Sequence, residues 1–321
     1  MDNIAEEPTH QDIDLRVHVF SQRGIYSAQQ KRAEYSNRAL AENGDPNKLK
    51  LTKEQCRQGI IINEGMNRIF RKFGVSVGQF NEDQIVLGYV RWIGSAGFCD
   101  YDGVIQIAVD SDFAEEYAHE KVHDAGLRAV QDNVPVKMGE VYSQKSKEWS
   151  LLWFKEAITE VTTRQVLIES GLVQQSQLIN KDPGSVNRIS FSIGSGYMTE
   201  TRMLGSLIMC LTDYCAKGGA RDVIDTARRA GIIDKEITEN GVTEEDILAI
   251  LQSGYFSAEY YSLPFKLMAS AFREQGGIKK FVELSRKFEE PIRRENRIWD
   301  QESIAAERQL YDFLSAVNQQ R

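Results

Sequence analysis

Four histidines serve the whole of this 321-residue chain, at positions 10, 18, 119 and 123. Cysteine is as scarce: Cys56, Cys99, Cys210 and Cys215 form no CxxC pair and no framework spacing. That excludes a disulfide-stapled scaffold and leaves reduced, buried thiols as the expectation. Basic charge is also in deficit, with 39 Lys and Arg against 47 Asp and Glu, a net charge of −8 and an isoelectric point near 5.3. No basic stripe interleaved with aromatics offsets this, so neither nucleic acid nor an anionic membrane is expected as a partner. Long apolar runs are missing too. Met203–Leu211 is broken by Gly205 and Ser206 and is too short to span a bilayer. Met1–Gln11 is acidic and polar, without the basic-then-apolar pattern of a secretory signal. The expected compartment is the cytoplasm, with export as an effector by a route that reads no such signal left open.

What is present is an ordinary globular composition, 41% hydrophobic and 27% charged. Residues 1–50 are weakly patterned apart from a strand-like Leu15–Phe20 and a polar helical stretch over Ser27–Asn43. They are expected to be an N-terminal arm or pro-segment. Thr52-Lys53-Glu54-Gln55 matches a capping box, opening a helix to about Phe73 with Ile62, Met66, Ile69, Phe70 and Phe73 on one face and Gly74 as its stop. Alternating Gln84–Trp92, a Gly94–Gly97 turn, Phe98–Tyr101, an Asp102-Gly103 turn signal and Val104–Val109 predict two or three antiparallel strands. Asp112 with Glu115 then caps a helix running to about Val130. After a loop over Gln131–Tyr142, a helix is expected from about Ser146 to Gly171. Beyond a Gly/Ser-rich stretch, Pro183–Gly196, further helices are expected at Thr199–Lys217, Ala220–Ala230, Thr243–Leu251, a long one from Ser257, Ile278–Phe288 and Trp299–Val317. The fold class is therefore mostly helical α+β. A small antiparallel sheet packs on the helix after Ser111, within a lobe spanning 51–145, and a helical lobe over 146–321 follows.

The two later histidines lie in His119-Glu120-Lys121-Val122-His123, inside that helix. Positions i and i+4 share a helix face, so both imidazoles can reach one Zn²⁺, with the carboxylate between them placed to act on a water bound to the same ion. The pattern resembles the HExxH signature of zinc metallopeptidases. A third histidine three residues after Gly126, which the metzincin extension requires, is absent, for position 129 is Ala129. A carboxylate-bridged di-iron site takes its two ExxH units from different helices, whereas Glu116–His119 and Glu120–His123 lie on one.

A catalytic zinc takes three protein ligands and keeps one position open. With His10 and His18 in the weakly patterned start, the third ligand is expected to be a carboxylate. Glu156 and Glu160, in Trp153–Glu160, share a helix face with Trp149, Leu152, Trp153 and Leu167. Acids in an apolar stripe are costly unless paired or metal-bound. Glu156 is the candidate ligand, and Glu160 the carboxylate that receives a ligand's free N–H. HEKVH followed by EAITE is similar to the gluzincin group of zinc metallopeptidases. The resemblance implies His119, His123 and Glu156 as ligands, Glu120 as general base and Glu160 as supporting acid. It covers Gln84–Gly171 in organisation and these short motifs in identity. The spacer from His123 to Glu156 is longer than in thermolysin, and no downstream histidine matches the one that steadies the transition state there. Tyr197 is the expected substitute, with Arg202 behind it. The implied function is metal-assisted hydrolysis of a peptide or protein substrate laid along an edge of the small sheet. The alternative is a zinc-binding, catalytically silent regulatory protein of the same fold.

Overall fold

The computed structural model describes residues 32–41, 49–88, 97–99, 104–131, 141–142, 149–174, 198–234, 241–257, 259–260, 262–293 and 301–319. The chain divides into two compact units, one of residues up to Pro135 with Thr162–Gln174, the other of Val136–Val161 with Gln175–Arg321. The strand-like Leu15–Phe20, the Gly/Ser-rich 183–196 and Tyr197 lie outside the described residues.

In the first unit, residues 32–41 form helix α1, inside the stretch expected to be a polar helix of the N-terminal arm. Helix α2 (Lys53–Phe70) opens on the expected capping box: Thr52 Oγ1 accepts from the Gln55 amide, and the Gln55 side chain accepts from the Thr52 amide. Ile62, Met66 and Phe70 are fully buried, worth about 2 kcal/mol each in apolar burial, so packing anchors α2 more than intrinsic propensity does. A 3₁₀ turn, Arg71–Phe73, carries the chain to Gly74, whose φ of 74° lies in the left-handed region that a residue without Cβ enters freely.

Strands β1 (Ile85–Gly88), β2 (Gly97–Cys99) and β3 (Ile105–Ala108) form a sheet in the order β1-β3-β2. β2 pairs with β3 antiparallel, as the hairpin signal predicts, but β1 pairs with β3 parallel, so the sheet is mixed. Every residue of β1 and β3 is buried, because both faces are covered. Helix α3 (Phe113–Gln131) packs against β2 and β3 and against α2. On the β1 side, Val86 joins Val104 and Ala39 of α1 in one cluster with Tyr35 and Leu49 against it.

The second unit begins with a two-stranded antiparallel ribbon, β4 (Val141–Tyr142) and β5 (Trp149–Ser150). Helix α4 (Leu152–Glu169) follows and passes from this unit into the first at Thr162. The helix expected from Ser146 thus begins later, and Trp149 lies on a strand rather than on the face of Glu156. The physical reason is Leu151, whose φ of 69° is incompatible with a continuing right-handed helix. Helices α5 (Met198–Ala216), α6 (Arg221–Arg229), α7 (Glu244–Phe256), α8 (Leu263–Ala271), α9 (Gly277–Arg293) and α10 (Gln301–Gln319) complete the unit. Instead of a long helix from Ser257, the chain caps α7 there and starts α8 at Leu263-Pro264, since proline fits a first turn and not an interior. α9 packs on α10, α10 on α5, and α5 on α7. Their shared core is aromatic: Phe272 lies 5.0 Å from Phe281 and 5.1 Å from Phe313, centroid to centroid. All four cysteines are free thiols, and Cys210 and Cys215 are buried. Burial pushes both up to about 12, so neither offers a thiolate near neutrality. No helix among the described residues is long and apolar enough to cross a membrane.

Candidate metal centre

The centre begins with α3. Asp112 Oδ1 accepts the Glu115 amide at 3.1 Å, which starts the helix where the capping pattern predicts. Tyr117, Ala118, Val122 and Ala125 are buried. The Tyr117 ring stacks on Phe113 at 5.6 Å, and its hydroxyl donates to Asn63 of α2 at 2.8 Å. Behind the histidines, Lys121 and Asp124 form a buried ion pair of 2.6 Å, with side chains 1% and 3% exposed. These contacts fix the rotation of α3 about its axis, and with it the direction of its remaining face.

That face carries His119 and His123. Their rings stand 4.8 Å apart, centroid to centroid, at 75°, and the two Nε2 atoms are 3.2 Å apart. Bonds of about 2.0–2.1 Å directed to tetrahedral corners put two ligand nitrogens about 3.3–3.4 Å apart. The pair stands close to that separation, which a hydrogen bond between the two rings also gives. Glu120 is buried at 5% exposure. Its neighbour across the chain is Gly97 of the edge strand β2: a Cβ there would lie 2.8 Å from both Cγ and Oε1 of Glu120, and 3.1 Å from Oε2 of Glu116. The strand lies directly against the carboxylate.

The acid that completes the set comes from α4. Its C-terminal half is tied to the first unit by Arg164, which pairs with Glu115 of α3, and by Glu169, which pairs with Arg68 of α2 at 2.6 Å. Gly65 lets α2 approach closely there, since a Cβ would meet Ser170 Oγ at 2.3 Å. At the other end, Glu289 of α9 accepts the Trp153 amide at 3.0 Å. Glu156 is half-buried, and one ligand atom each from His119, His123 and Glu156 lie within 4.8 Å of one another. Two imidazoles and one carboxylate are the donor set of a catalytic zinc site, and three protein ligands leave a corner for water. Glu160, one turn along α4, is buried at 6% exposure.

The three expected ligands are thus brought together, with Glu120 beside them on α3. Tyr197 lies outside the described residues. Arg202 is 65% exposed and engaged with Glu307 of α10 at 3.1 Å, on the surface of its own unit. Sequence reasoning missed Gly97, read there as part of a turn, the pairing of Arg164 with Glu115, read there only as a capping acid, and Glu289. These contacts join residues far apart in the chain, and no local pattern marks them. Comparison with known families, with curated proteins and with solved structures gives no match to this chain.

Proposed function

We propose that this chain is a zinc-dependent peptidase of the gluzincin kind, with His119, His123 and Glu156 as metal ligands and Glu120 as general base. The observation that carries the reading is the convergence of Glu156, from a second helix, on the histidine pair of α3 to within 4.8 Å. Zinc, when bound, supplies a Lewis acid that lowers the pKa of a coordinated water and polarises a carbonyl. Glu120 then takes the proton of the attacking water and passes it to the departing amine. Burial at 5% exposure against Gly97 restricts the positions open to its carboxylate. β2 is an edge strand of its sheet, immediately beside Glu120, and an extended peptide substrate would be laid along it. We assign the donor to the developing oxyanion to Tyr197 and buried Glu160 to the support of a ligand imidazole. A reducing compartment such as the cytoplasm suits four free cysteines.

Elemental analysis of protein purified without chelator tests the centre. One zinc per chain in wild type and a clear loss in Glu156→Ala are expected, while zinc retained in both refutes the ligand assignment. Glu120→Gln should keep the zinc and lose hydrolysis of a peptide library by about 10²-fold or more. Unchanged turnover in that variant would remove Glu120 from the chemistry.

A further inference from the structure

A helix leaves its first four amides without partners, and a Ser, Thr, Asp or Asn at the N-cap ordinarily fills one of them. α4 starts without that help. Its N-cap is Leu151, an apolar residue in the left-handed region at φ 69°. The Leu151 carbonyl takes the amides of Phe154 and Lys155, both at 3.1 Å. The Trp153 amide is taken by Oε1 of Glu289, a residue 136 positions away and 3% exposed. The same helix, α9, also grips the Trp153 side chain, which lies edge-on to Phe288 at 5.7 Å and to Phe281 at 6.5 Å. A buried carboxylate is costly unless it is paired or hydrogen-bonded. Its setting offsets that cost, because it faces the positive end of the α4 dipole.

We propose that Glu289 is a positioning residue for the metal centre, setting the first turn of α4 so that Glu156, three residues past the capped amide, meets the histidine pair. The inference rests on Glu156 being a metal ligand. Glu156 sits at the fifth position of α4, next to the turn that frays when a cap is lost. A frayed first turn swings the ligand carboxylate while leaving the histidines where they are. The site then keeps two ligands in place and loses the third.

The test is the zinc dissociation constant of the full-length apo-protein, measured by competition with a chromophoric chelator, alongside urea unfolding. Glu289→Ala should weaken zinc binding about tenfold or more. Glu289→Gln, which retains an oxygen acceptor at the same reach, should stay within about threefold of wild type. Glu289→Asp keeps the charge but shortens the arm, and it should resemble Glu289→Ala. It also decides the matter if the alanine variant does not fold. Thr243→Ala is the control: Thr243 caps α7 in the same unit as Glu289, on a helix that carries none of the proposed ligands. Its loss should lower stability by a comparable amount and leave zinc affinity unchanged. Folded Glu289→Ala and Glu289→Asp that bind zinc as tightly as wild type overturn the proposal, as does an equal weakening in Thr243→Ala. Wild type and Glu156→Ala that bind zinc equally, or not at all, overturn the metal centre itself and this inference with it.

Discussion

Gly97 is neither in a tight turn nor at a positive φ, and backbone freedom therefore does not explain a residue without a side chain there. What explains it is Glu120, whose Cγ and Oε1 lie 2.8 Å from the place a Cβ would occupy. The atoms in the way belong to a side chain and not to backbone, so a methyl group would move the carboxylate rather than the strand. Gly97→Ala should accordingly fold with near wild-type stability and bind a full equivalent of zinc. Its kcat on a peptide substrate should fall by about tenfold to a hundredfold, with little change in KM. Steady-state kinetics beside metal analysis check this, and wild-type turnover would show that Glu120 is not held by the strand.

At the level of the element, the buried ion pair of α3 belongs to its structure. Lys121 and Asp124 are 1% and 3% exposed and 2.6 Å apart, with Gln84 a further 3.5 Å from the ammonium. Lys121→Met should destabilise the protein by about 3–5 kcal/mol, because it takes the cation away from a carboxylate buried in the core. Lys121→Met with Asp124→Leu should recover most of that loss in urea unfolding, and a double variant as weak as the single one would contradict the account. The features of α3 and α4 that could be read from sequence are those set by neighbours in the chain. They include the Asp112 cap, the i, i+4 histidines, and the anomaly of Glu156 and Glu160 in an apolar stripe. The start of α4 could not be read, since its cap, Glu289, comes from 136 residues away and Leu151 gives no local sign of a left-handed φ. Nor could the parallel pairing of β1 with β3, because an alternating run specifies a buried face but not the direction of its partner. The long helix expected from Ser257 failed on a legible residue: Pro264 marks a first turn, not an interior.

Over the whole molecule, a ligand that binds only the folded chain raises its stability by mass action, about 2.7 kcal/mol at a hundred times Kd. Zinc added to apo-protein should therefore raise Tm by several degrees, and Glu156→Ala should lose most of that rise in a calorimetric scan with and without chelator. An equal rise in both would place the bound metal elsewhere. The division of the chain bears on how the protein is made. The first unit takes Thr162–Gln174 only after Val136–Val161 of the second has been synthesised, and helix α4 runs from the one segment into the other. On the ribosome, the first unit stays unfinished until Gln174 has cleared the exit tunnel. The second must then wait for Gln301–Gln319, since α10 packs on both α5 and α9. A nascent chain halted at Pro135 carries both histidines and Glu120 but no Arg164 to hold α3 and no Glu156, so on the proposed reading zinc capture would be a late event in biogenesis.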